Sequence, residues 1–140
     1  MHIERSLVRG SFVLFMLALF VGMHIPFFPI PRLGLSQHLT VLMNSCVLIT
    51  LAVAWPRLAD ARHATAIRRL FLFCAFTMSI GGIFGAAWGT HKFTPMASAG
   101  GPKAELWQEI AIGILINVTV LVYIIASSMA VWALRPRHQE

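Results

Sequence analysis

The chain has 140 residues, of which 58% are hydrophobic and 11% charged, and it carries a formal net charge of +6. A water-soluble domain carries about 25% charged residues, so this composition excludes a soluble globular protein and points to a bilayer. The length suits one domain. Arg and Lys beside helix ends and an anionic leaflet account for the basic balance, and no nucleic-acid motif is present.

Membrane-spanning helices are predicted over residues 10–31, 33–56, 70–91 and 107–134, built on uncharged runs of 22 to 25 residues, the fourth of which starts at Ile110. Each run is long enough, since about 20 apolar residues at 1.5 Å rise match the hydrocarbon core. The expected fold is all-α: an integral membrane four-helix bundle made by one domain, residues 1–140.

The first span exceeds the ~7 to 15 residue apolar region of a signal peptide, and "HIPFFPIPRLG" after it has no small-x-small cleavage site. Proline has no N–H to continue a helix, so the three prolines of that segment end the first helix near His24. The second span contains "GLSQHLTVLMNS", which sets His38 and Asn44 in an otherwise apolar helix. Six positions apart, the two side chains project about 120° from each other. The helix then borders either a broad polar pocket or two different neighbours, as at a subunit interface.

"WPRLADARHATAIRR" forms the turn to the third span, where Gly81, Gly85 and Gly89 repeat a small-xxx-small pattern. Such a stripe admits a neighbouring backbone or a flat ring, and helix packing is the commoner reason for it. "HKFTPMASAGGPKAELWQE" is the longest outer connection, rich in Gly and Pro, where a lid would sit. The fourth span opens with Glu105, Trp107, Gln108 and Glu109, and Glu109, Gly113 and Asn117 follow as one stripe. Cys46 and Cys74 lie within spans as small apolar groups and give no disulfide framework.

Arg5, Arg9, Arg57, Arg62, Arg68, Arg69, Arg135 and Arg137 fall on one side, and Arg32, Lys92 and Lys103 on the other. Positive residues stay in the cytoplasm, so both termini are expected there, in a multi-pass protein of the bacterial inner membrane type. His2, His63 and His138 then lie inside. His24, His38 and His91 share the outer leaflet with Glu105, Trp107 and Glu109. Interfacial residues among headgroups are the plain explanation for His91, Glu105 and Trp107. His38, Asn44, Glu109 and Asn117 head or occupy spans, where polar groups are costly and usually face the bundle interior or a cavity.

No His-Glu-x-x-His metalloprotease motif occurs, and no Ser or Cys nucleophile has an evident base. A lone His is more often structural than a ligand, although axial ligation of a haem needs only one imidazole and an apolar slot.

The segments "PRLGLSQHLTVLMNS", "WPRL", "AAWG" and "WQE", in that order over four uncharged spans, resemble the small membrane enzymes called hydroxylaminobenzene mutases. The His and Asn six apart on the second span, followed by an apolar run ending in Pro, also resemble the related styrene oxide isomerases. The resemblance covers nearly the whole chain. It implies a homotrimer holding ferric haem b between subunits, with His38 as axial ligand of the iron. Gly81 and Gly85, from the stripe that admits a flat ring, are the candidate cofactor-binding glycines. It also implies that Asn44 holds the substrate oxygen while the iron acts as a Lewis acid.

In the epoxide isomerases the third helix supplies an Asp and a Tyr. Here that helix has neither, since the single Tyr is Tyr123 and the single Asp is Asp60. The expected reaction is therefore the mutase one, conversion of an N-arylhydroxylamine to a 2-aminophenol. Glu109, Asn117 and His24 are the candidate substitutes for the missing groups, and His91 and Trp107 are further pocket candidates. Small neutral aromatics would enter laterally from the bilayer. Epoxide-to-aldehyde rearrangement is the alternative within the family. Outside it, an electron-transfer cytochrome would need His24 or Met43 as second ligand, and a small multidrug-type exporter would need an intramembrane carboxylate that the first three spans lack.

Overall fold

The computed structural model describes residues 2–59, 61–92 and 94–135, without the side chains of His2 and Ile3. Asp60, Arg137 and His138 lie outside the described residues. Among the described residues four helices follow in chain order: α1 His2–Met23, α2 Pro31–Leu58, α3 Ala64–Trp88 and α4 Leu106–Ala133, with a 3-10 turn at Ile25–Phe27 between α1 and α2. All four are long and apolar enough to cross a membrane.

Local chemistry sets the boundaries. The proline segment stops α1 at Met23, and Pro31, whose missing N–H costs nothing in a first turn, opens α2. Pro56 sits in the last turn of α2, so this helix runs past the expected end at residue 56. Both α1 and α3 start earlier than the uncharged runs, because Arg5, Arg9, Arg68 and Arg69 ride on helical extensions. Long cationic side chains reach water from such positions without ending a helix. At the other end α3 stops at Trp88, since Gly89 adopts a left-handed φ of 71° and turns Thr90 N–H back onto Gly85 O at 2.9 Å.

Neighbouring helices pack in chain order, α1 on α2, α2 on α3 and α3 on α4. The α1–α2 pair is antiparallel: His38 meets Ala18 near one end, and Ser11 and Ser45 meet nearer the other. Each of these serines donates to the other's backbone carbonyl at 2.9 Å, a reciprocal tie buried in the bundle. Leu7, Leu14, Val41, Leu48, Ile67 and Phe71 belong to the main core. Large apolar side chains such as Phe12, Met16, Ile114 and Leu121 point outward, as lipid-facing positions require. Arg68 Nη1 donates to Ser6 Oγ at 3.4 Å, which puts the starts of α1 and α3 side by side.

Candidate functional site

His38 sits on the seam between α1 and α2. Its Nδ1 lies 2.8 Å from the backbone oxygen of Ala18. A carbonyl only accepts, so Nδ1 carries the proton and Nε2 keeps its lone pair. Gly22 makes room for the ring, since a Cβ there would stand 2.9 Å from Nδ1. An imidazole whose second nitrogen is fixed by a backbone carbonyl is the arrangement that orients a metal-binding histidine. The donor set therefore fits single axial ligation of a haem by Nε2. Beside it, Gln37 packs against Gly82 of α3, and its Oε1 has no hydrogen-bond partner among the described residues.

Asn44 points elsewhere. Its side chain is 7% exposed and lies among α2, α3 and α4. Nδ2 donates to Ser79 Oγ at 3.1 Å, and Tyr123 O–H donates to Oδ1 at 3.0 Å. The Tyr123 ring is held edge-on to Phe71, with centroids 5.7 Å apart. The sequence-derived separation around α2 thus takes a definite form in one chain: His38 faces α1, whereas Asn44 faces α3 and α4.

Glu109 joins the C-terminal end of α3 to the N-terminal end of α4. This carboxylate is 2% exposed and accepts the backbone N–H of His91 at 2.7 Å and of Lys92 at 3.2 Å. His91 Nδ1 stands 2.6 Å from Glu109 Oε1, a charge contact when the ring is protonated and not an aligned hydrogen bond. Glu109 thereby receives the chain as it leaves α3. Gly113 and Asn117 continue its stripe, and the three line a groove of about 490 Å³ with Lys92, Ile110 and Leu121. Asn117 is exposed on this face and donates to Gly113 O at 2.7 Å within its own helix.

His24 ties its Nδ1 to Phe20 O at 2.8 Å and lies against the Phe20 ring, with centroids 4.1 Å apart. Trp107 donates from its indole to Glu105 Oε2 at 2.6 Å and meets Trp88 edge-on at 5.2 Å, with an exposed ring suited to the interface. The space beside Gly81 and Gly85 is filled by Leu115 and Ile112 of α4, so both glycines serve close packing of α3 on α4. His24, His38 and His91 do not converge. Among the described residues no three His, Cys, Asp or Glu side chains are grouped to hold a metal ion.

A family model described as styrene oxide isomerase matches residues 3–135. The chain belongs to the styrene oxide isomerase family. It is 27% identical over 134 residues to hydroxylaminobenzene mutase HabB of Ectopseudomonas oleovorans, covering 95% of this chain and 82% of that protein. Hydroxylaminobenzene mutase HabA of the same organism is 26% identical over 118 residues, covering 82% of this chain and 87% of that protein. No solved structure matches. Both names denote isomerases, and this chain is an isomerase.

For a member of the styrene oxide isomerase family, Tyr123 is the unanticipated neighbour of Asn44. Its place on the fourth helix and not the third hides this role in the sequence. Its mid-helix position in an apolar run was the available signal, since a buried phenol needs a hydrogen-bond partner.

Proposed function

We propose that this isomerase rearranges N-arylhydroxylamines to 2-aminophenols at a haem b bound through His38. In that reaction the N–O bond breaks, a bond forms between the hydroxyl oxygen and the ortho ring carbon, and the displaced ring proton ends on nitrogen, with no net oxidation. The observation that carries the cofactor assignment is the tethered imidazole, with Nδ1 on Ala18 O and Nε2 left to bind. The substrate class rests on the two mutases that this chain resembles over most of its length.

When bound, ferric haem supplies a Lewis acid for the substrate oxygen. The chain itself has three tasks. His38 would hold the cofactor, and its Nδ1–H tether fixes the ring plane. Asn44 offers an amide N–H to the migrating oxygen. The apolar surfaces around both exclude water, which would otherwise compete with the ring for the cleaved position. Several copies of the chain, three by resemblance, would complete the site, and the exposed Asn117 on α4, a polar group costly in lipid, supports such an assembly. The excess of Arg at one end of the helices supports cytoplasmic termini in a bacterial inner membrane.

Incubation of purified protein with hydroxylaminobenzene should give 2-aminophenol, detected by chromatography, and His38→Ala should abolish it. Absence of product from protein loaded with haem would contradict the mutase assignment. Epoxide isomerisation is the second reading, favoured by the matched family model and by the tyrosine hydroxyl that α4 brings to Asn44. The same assay with styrene oxide, scored by phenylacetaldehyde, separates the two.

A further inference from the structure

The carboxamide of Asn44 is held at both ends by hydroxyls from two other helices. Tyr123 donates into Oδ1 at 3.0 Å, and Nδ2 donates onto Ser79 Oγ at 3.1 Å. Ser79 is fully buried on α3, and the Tyr123 ring is braced against Phe71. A carboxamide has two N–H donors and two acceptor lone pairs, so these contacts leave one N–H and one lone pair. The chain of donors runs in one direction, from phenol to amide oxygen and from amide nitrogen to serine. Donation into an amide oxygen draws density from nitrogen and strengthens the remaining N–H, most of all in a low-dielectric interior.

We infer that Tyr123 and Ser79 are positioning residues for Asn44: they fix the plane of its amide and polarise its one free N–H toward the substrate oxygen. The inference rests on the reading of Asn44 as the group that meets that oxygen. A purely structural alternative exists, because the Tyr123 bond also ties α4 to α2. The two roles differ in their coupling. A positioning residue acts only while Asn44 is present, whereas a structural tie costs the same in either background.

The test is a double-mutant cycle on detergent-purified full-length protein, with hydroxylaminobenzene as substrate and thermal unfolding measured in parallel. Tyr123→Phe keeps the ring and its contact with Phe71. It should lower kcat about tenfold, the size of one lost hydrogen bond to the group that meets the substrate, with KM changed far less. In an Asn44→Ala background the same substitution should change kcat less than twofold. Ser79→Ala should slow turnover, and Ser79→Thr, which keeps the hydroxyl, should restore it. Equal losses from Tyr123→Phe in both backgrounds, or a loss that follows the melting temperature and not the kcat-to-KM split, would overturn the inference. Full activity of Tyr123→Phe beside a slow Asn44→Ala would overturn it while leaving Asn44 in its role. A fully active Asn44→Ala, or an inactive parent protein, would remove the underlying reading and the inference with it.

Discussion

His38 acquires its expected chemistry from a glycine on another helix. The ring fits between α1 and α2 because Gly22 has no side chain, and the space it leaves is what lets Nδ1 reach Ala18 O. In Gly22→Ala the new methyl would stand 2.9 Å from Nδ1, so the ring has to shift and its bond to Ala18 O is disturbed. The expected outcome is loss of the haem absorption band with the helical circular dichroism retained. An unchanged band would show that the tether is dispensable. The sequence made His38 and Asn44 conspicuous, since both are costly polar groups in an apolar helix. It did not show Gly22 as the counterpart of His38, because that pairing depends on how α1 and α2 are rotated against each other.

Among the helices, the C-terminal end of α3 and the N-terminal end of α4 depend on two devices. Gly89 closes α3 in a left-handed conformation, and Glu109 accepts two backbone N–H groups from the chain that follows. Gly89→Ala should cost about 1 kcal/mol, the penalty of forcing an L side chain into that region. Glu109→Ala leaves two N–H groups without their charged acceptor and should cost about 1.5 to 3 kcal/mol. Amide exchange at His91 and Lys92 should accelerate in the Glu109 variant much more than exchange at the centre of α4, and equal acceleration at both would contradict a local clamp. The helices themselves were legible as uncharged runs. Their ends were less so: arginines on the first turns of α1 and α3 do not stop a helix, whereas Gly89 and the proline segment do. The stripe of Glu109, Gly113 and Asn117 was legible from helical spacing and lines one groove. The contact of Tyr123 with Asn44 was not, because it joins residues 79 positions apart on helices not adjacent in the chain.

For the molecule as a whole, the proposed assembly of several copies rests on the resemblance and on one polar group. Asn117 is exposed on α4 among apolar side chains such as Ile114, Val118 and Leu121. A polar side chain there is costly in lipid and is better accommodated against protein. Native mass spectrometry in detergent should give three times the 15.5 kDa chain, and a monomer that retains full activity would rule out a shared site. Membership of the styrene oxide isomerase family was legible from motifs spread over four spans, because the family model matches nearly the whole chain.

Whether His38 holds a haem is read from an absorption spectrum of purified protein expressed with ample haem, recorded beside the His38→Ala variant. The expected result is a Soret band at about one haem per subunit in the parent, shifted by an N-arylhydroxylamine and absent from His38→Ala. No band in the parent, or the same band in the variant, would contradict His38 as the residue that holds the cofactor.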